Sequence, residues 1–345
     1  MNETSTTSGS KHSRKTSSIF FYIITFALFI VGIRYFGNIG NDIKLFKQVK
    51  PIWLITALMA QIGTYFFNAI TYQVLLQKHE HNNNLSLKEL FEASVVMLFL
   101  NQTIPSVGVS GGTFLLKLLH KKGVSTEGSI FIVLADLFIH YISMILFAIL
   151  LIILTPFFHF PHNYIIILII GIVIYLILGI VVTVGSNRKI QTFISSKISH
   201  IGLTRRLLQK YKSSVGIEFN GERRLIETLA LDKTATLHAI VYDIGVVVCD
   251  IFTIYTLFLG LGISTNFIAI TTGYILIQII TLLPILPGSL LVYEGGMSFF
   301  FSQLGLPLET SITVTLLYRC LSFWIPIPLG YILYRKLYKV NDEPI

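Results

Sequence analysis

An all-α integral membrane protein is the fold class this sequence predicts, with about six full spans and two re-entrant broken hairpins arranged as an inverted repeat. Three observations carry that expectation. Hydrophobic residues make up 53% of the 345 and charged residues only 12%, with a mean hydropathy of +0.74, well beyond the range of a soluble domain. Several apolar runs approach or exceed the roughly 20 residues needed to cross about 30 Å of hydrocarbon. Two apolar stretches are broken alike, at Pro105-Ser-Val-Gly-Val-Ser-Gly-Gly112 and at Pro287-Gly-Ser-Leu-Leu-Val-Tyr-Glu-Gly-Gly296. Each break leads into a short apolar run and then a Gly-x-x-x-Glu pattern, Gly123 to Glu127 and Gly305 to Glu309. A break inside a membrane frees backbone groups that only protein, a cavity or a ligand satisfies, and paired breaks in two halves point to a transporter's binding site.

The elements follow in order. Residues 1–18 are rich in Ser, Thr and Lys and read as a disordered cytoplasmic tail. The run from 19 to about 35 has no small-x-small cleavage site after it and reads as an uncleaved first span. A second span begins at Pro51, with Trp53 as an interfacial anchor, and its Gln61, Thr64, Asn68 and Thr71 form a polar stripe that must face other helices or a wet cavity. The first broken hairpin covers 87–121 and spans follow at about 129–157 and 164–184, which completes a first membrane half over 19–184. A basic segment, 185–236, comes next. Between Gly185 and Thr234 there are ten Lys or Arg against four Asp or Glu, which is +6 of the net +9. That local excess marks a cytoplasmic loop and not a nucleic-acid site. Its Ile190, Phe193, Ile194, Ile198 and Ile201 fit either an amphipathic helix on an anionic leaflet or a solvated connector. The second membrane half, 237–338, holds a span at about 237–262, a broken hairpin at 267–304 and a last span at about 311–334; 339–345 is a short tail. Residues 267–286 are long enough for a full crossing, but 297–303 is too short to return unaided, which favours the hairpin.

Orientation in the cell membrane follows from charge. With the basic loop inside, both termini are cytoplasmic, the first hairpin opens from the cytoplasm and the second from outside. Lys44, Lys47 and Lys50 then fall outside, against the rule.

Ionisable residues inside spans are the candidate functional groups, because each costs roughly 2.5–3.5 kcal/mol at mid-membrane on insertion scales. Asp136 and His140 stand one helical turn apart, and Asp243 and Asp250 two turns apart on one face. They form either a proton relay or hydrogen-bonded packing. A half-helix starting at Gly112 would aim its N–H groups at an anion such as a lipid phosphate; alternatively Gly111 and Gly112 allow close packing. Lys117, His120, Lys121 and Lys122 follow, as headgroup ligands or as ordinary positive-inside residues. Glu294, just before Gly295 and Gly296, serves substrate or proton coupling, or caps a helix. Arg319, inside an apolar span, is its natural ion-pair partner or a phosphate ligand. No catalytic residue, metal site or cofactor is expected, since no metalloprotease, serine-hydrolase, Walker A or dinucleotide motif is present. Cys249 and Cys320 suit neither zinc nor a disulfide framework.

At these residues the chain resembles a known family. Leu286-Pro-Gly-Ser-Leu-Leu-Val-Tyr-Glu294 resembles the Pro-Gly-Gly-Leu-Gly-x-x-Glu signature of the lysylphosphatidylglycerol synthase transmembrane region, also called the flippase-like domain. Asn101-Gln-Thr-Ile-Pro105, Gly111-Gly112 and Lys117 are similar to that family's first pattern, and Arg319 to an arginine after its second. Ser289 and Leu291 replace glycines, and Lys117 stands where arginine is commoner. The likeness runs from about 19 to 338. It implies a translocase for an anionic or aminoacylated phospholipid, or for a polyprenyl-phosphate-linked lipid. The headgroup would then be held among Asn101, Pro105, Gly111, Gly112, Lys117, Pro287, Gly288, Glu294, Gly295, Gly296 and Arg319. In full-length synthases this domain precedes a soluble one that transfers lysine from lysyl-tRNA to phosphatidylglycerol. The chain stops at Ile345, so a stand-alone member without the catalytic lysyltransferase domain is expected. Two alternatives stay open: a membrane subunit presenting lipid to a separate aminoacyl-transferase, and a membrane scaffold.

Overall fold

The protein was described from a computed structural model, which covers residues 48–79, 85–104, 109–158, 163–185, 225–282 and 292–339. The expected tails, the first span, most of the basic loop, Pro105, Pro287 and Gly288 lie outside them. Among the described residues the fold is all helix: α1 (Pro51–His79), α2 (Leu87–Thr103), α3 (Val109–Lys121), α4 (Thr126–Phe158), α5 (Asn163–Gly185), α6 (Leu225–Leu231), α7 (Lys233–Gly260), α8 (Phe267–Thr281), α9 (Val292–Gln303), α10 (Leu308–Arg319) and α11 (Pro326–Lys339). A π-turn over Cys320–Trp324 joins the last two. Five stretches are long and apolar enough to span a membrane: Pro51–Lys78, Thr126–Phe158, Asn163–Val184, Lys233–Gly260 and Leu308–Leu337. The chain is a multi-pass membrane protein. The other long helices are of a different kind, since even the 17 residues of α2 reach only about 26 Å.

Contacts between helices fix their directions. Trp53 meets Gly260, Gly63 meets Cys249 and Phe67 meets Gly245, so α1 and α7 run antiparallel along most of their length. Their far ends are tied by Lys78 and Asp232 at 3.9 Å. In the α2–α3 hairpin, Gly111 touches Asn101 near the break while Lys122 pairs with Glu89 at the open end. In the α8–α9 hairpin, Ile277 lies against Gly296 and Gly273 against Phe301. The open end of α2–α3 lies beside the C-terminal part of α11, through Glu92 and Lys336. The open end of α8–α9 lies beside the C-terminal part of α7, where Tyr255 packs on Phe267 and Phe258 on Phe301. The two hairpins thus enter the bundle from opposite ends.

Local chemistry explains where the arms begin and end. Ser86 and Glu89 form a reciprocal capping box at the start of α2, each side chain accepting from the other's backbone N–H. Both second arms end in one pattern. Gly123 and Gly305 each have φ of 90°, and the next residue's N–H reaches back to Leu119 O and Phe301 O, both at 3.1 Å. These two left-handed glycines satisfy carbonyls that the helix end would orphan. They are the glycines of the two Gly-x-x-x-Glu patterns.

Lipid removes the hydrophobic drive between helices, so association rests on close van der Waals fit. Glycines and small residues supply it. A Cβ at Gly245 would lie 2.9 Å from Phe67, and one at Gly63 3.0 Å from Cys249 Sγ. Two apolar cores result. One gathers α8, α9, α10 and parts of α4, α5 and α7; the other gathers α2, α3 and parts of α1, α4 and α6. Each core encloses one hairpin. Outward faces are apolar, as on α5 with Ile166, Ile169, Val173, Ile177 and Ile180.

Gly305→Ala adds a methyl to open space but onto a left-handed backbone, so a loss of about 1–2 kcal/mol is expected. Gly295→Ala, also into open space but within helical α9, is expected to change stability by less than about 1 kcal/mol. Thermal unfolding of the two variants in detergent checks the contrast.

Candidate functional site

The last span is interrupted for a reason visible in its sequence. Pro326 has no amide proton, so the carbonyl of Ser322, four residues earlier, loses its helical donor. The backbone widens to a π-turn there, with Ile325 N–H bonding to Cys320 O at 2.9 Å. Gln102, at the inner end of α2, donates its Nε2–H to Ser322 O at 2.9 Å. The first hairpin is thereby docked onto the break in the last span.

Arg319 is the residue just before the π-turn. Its Nε donates to Glu294 Oε1 at 2.8 Å, from the first turn of α9, so the second hairpin docks onto the same region. Side-chain exposure is 8% for Arg319 and 12% for Glu294, so the pair lies where water screens little. The guanidinium also lies over two rings, 4.2 Å from the centroid of Phe323 and 4.7 Å from that of Tyr293. Tyr293 stacks on Tyr318, and Ser298 Oγ lies 3.2 Å from Thr315 Oγ1, which lock α9 along α10. Gly296 allows the approach of α8, because a Cβ there would come 2.6 Å from Ile277. Gly295 faces open space.

At the first break, α3 begins at Val109, three residues before the expected Gly112. Asn101 Oδ1 accepts from Gly111 N–H at 2.8 Å and from Ser110 Oγ at 3.2 Å. Asn101 thus caps the second arm from the first. A Cβ on Gly111 would lie 2.7 Å from Met97 O, and one on Gly112 3.2 Å from Val133. Both glycines sit at tight helix contacts, and the Gly111 amide is already engaged. Lys117 is exposed on α3.

The four acidic and histidine residues of the spans divide into two groups. Asp250 accepts from Tyr274 at 2.9 Å and from Gln61 and Thr64 at 3.3 Å each; Gln278 donates to Tyr274 at 2.7 Å. Gln61 and Thr64 belong to the polar stripe of α1, which faces inward with Thr71 buried as well. The other group brings His140 Nδ1 to Asp243 Oδ1 at 3.3 Å and Tyr72 OH to Asp136 Oδ2 at 3.2 Å. Tyr72, Tyr274 and Tyr318 lie outside the sequence motifs, and Gln102 and Tyr293 lie within them without standing out as candidate groups. A tyrosine in an apolar run reads as interfacial, and no spacing reveals a partner from another helix. Among the described residues no three His, Cys, Asp or Glu converge as a metal site.

This geometry suits recognition of an anion in a dry setting. An arginine fork prefers carboxylate or phosphate, and flanking rings orient its plane.

Comparison with known proteins yields one family and several relatives. The lysylphosphatidylglycerol synthase TM region matches residues 20–330. A UPF0104 membrane protein of Pyrococcus horikoshii is 24% identical over 330 residues, covering 90% of this chain and 96% of its own. One from Methanocaldococcus jannaschii is 25% identical, covering 92% and 94%. One from Methanothermobacter thermautotrophicus is 22% identical, covering 96% of each.

Removing one partner of a buried pair leaves an uncompensated charge. Arg319→Met is therefore expected to lower stability by about 3–5 kcal/mol, and Arg319→Met with Glu294→Gln by clearly less. Unfolding of both variants in detergent against the parent measures the difference.

Proposed function

The chain belongs to the lysylphosphatidylglycerol synthase TM region family, and from that premise we propose that it moves an anionic or aminoacylated phospholipid, or a polyprenyl-phosphate-linked lipid, between the leaflets of the cell membrane. The family's name supports a membrane lipid as the class of substrate. One observation carries the rest: the buried Arg319–Glu294 pair, where α9 meets the π-turn that also receives Gln102 of the first hairpin.

A headgroup phosphate takes the place of Glu294 on Arg319, so that one anion is exchanged for another. The arginine stays paired throughout, and the displaced Glu294 carboxyl takes up a proton or turns to water, so that neither partner is left as a buried lone charge. Phe323 and Tyr293 hold the guanidinium plane while the exchange occurs. The acyl chains remain in lipid beside the bundle. Entry of the two hairpins from opposite ends supports alternating exposure in an inverted repeat, with the Arg319 region reached first from one side and then from the other. In this scheme both termini and the basic loop are cytoplasmic.

Purified protein in vesicles, with headgroup-labelled phosphatidylglycerol, lysyl-phosphatidylglycerol and a polyprenyl phosphate in turn, tests the proposal. The parent is expected to speed leaflet exchange of at least one of these over protein-free vesicles. Glu294→Gln and Arg319→Lys are expected to slow it by about 10–100-fold, equivalent to about 1.4–2.8 kcal/mol. Exchange no faster than in protein-free vesicles for all three lipids overturns it.

A further inference from the structure

Three helices bring titratable groups together at one depth, away from Arg319. Asp243 lies ten residues into α7, Asp136 ten residues into α4, and Tyr72 seven residues before the end of α1. Those ends share one face of the bundle, so the group sits about 10–15 Å inside it. His140, one turn beyond Asp136, bonds Asp243 and is the electrostatic neighbour of both aspartates and of Asp250. Asp250 and then Arg319 lie deeper still. The titratable residues therefore form a descending series from the end where the first hairpin opens toward the Arg319 region.

Asp243 is the unusual member. It is 2% exposed, and its Oδ2 is buried without a hydrogen-bond partner among the described residues. A buried carboxylate oxygen without a donor is costly, and a proton is the smallest species that relieves it. His140 is 37% exposed at its side chain, so it links this buried acid to the outside of the helix packing. Opposite charge is scarce. From α1 the facing group is Tyr72, from α4 Asp136 and His140, and from α7 Asp243 and Asp250. Tyr274 of α8 is engaged with Asp250, and Tyr175 of α5 with Tyr141. Lys117 of α3 is exposed, and Lys78 pairs with Asp232 at the end of the bundle.

We propose that Asp243, with His140 and Asp136, is a proton-binding centre that couples lipid movement to a proton gradient across the membrane; this rests on the translocase reading above. One proton is taken from one compartment onto the Asp243 carboxylate through His140 while the headgroup is on Arg319. It leaves to the other compartment when the headgroup does, and no bond of the lipid is broken. The centre clamps α4 to α7, with Tyr72 holding α1 to α4, so its charge state sets how tightly these helices are tied.

The test uses the full chain in vesicles with whichever of the three labelled lipids above the parent exchanges, an imposed pH difference of either sign, and the membrane potential clamped. A trapped pH dye reports proton flux. For one proton per lipid, the leaflet ratio is expected to shift about tenfold per unit of pH difference and to reverse with its sign. Asp243→Asn is expected to abolish that response whatever its rate at equal pH, and His140→Gln to weaken it. Lipid exchange that ignores the gradient in the parent chain overturns the coupling and leaves the translocase reading standing. A gradient response that survives in Asp243→Asn, with only a lower unfolding temperature, overturns the assignment to this centre. Absence of exchange for phosphatidylglycerol, lysyl-phosphatidylglycerol and polyprenyl phosphate alike removes both readings together. The parent's response is decisive even where a variant does not fold.

Discussion

The carbonyl of Ser322 loses its α-helical donor in the last span, because Pro326 has no amide proton to give it. In water this would be trivial; in hydrocarbon an orphaned carbonyl costs several kcal/mol, and some other part of the chain must come to it. Gln102 does so. Once α2 is held there, its partner arm α3 follows through the Asn101 cap, and α11 is drawn along α2 by the Glu92–Lys336 pair. The neighbouring turn carries Arg319, which collects Glu294 from α9. Both hairpins are thus anchored to one span at its point of weakness. The same break that disturbs the helix provides the polar groups around which the interior is arranged.

The charged groups inside the bundle follow a single logic. Glu92, Glu294 and Asp250 each accept hydrogen bonds from a different helix from their own. Such pairs add little net stability, because desolvation offsets most of their attraction. Their effect is on specificity: a shifted register of α9 against α10 would leave Arg319 and Glu294 apart in a medium that punishes each. Apolar packing alone, between lipid-like surfaces, discriminates registers far less well.

Much of this was legible from composition and spacing. Long apolar runs marked the spans, the Pro and Gly clusters marked the breaks, and the Gln61–Thr71 stripe marked an inward face. Legibility ended where structure depends on partners distant in sequence. Residues 311–334 read as a single span, yet Trp324-Ile-Pro326-Ile-Pro328 already announced a missing amide. Gly111 read either as part of an anion-binding helix start or as a packing contact, and no spacing announced that its N–H goes to Asn101, ten residues earlier. The pairing of His140 with Asp243 joins residues 103 apart, and helical periodicity carries no trace of it.

The Gln102–Ser322 and Glu92–Lys336 contacts also set a schedule for biogenesis. Their partners are separated by 220 and 244 residues, and α1 must likewise await α7. At about 5–20 residues per second, the first hairpin spends roughly ten to fifty seconds in the membrane before the helix that completes it is made. During that interval a buried glutamate and a glutamine have no lasting partner. The helices before and after residues 186–224 are therefore interleaved parts of one folding unit, and the first of them complete their polar contacts only when the last are made.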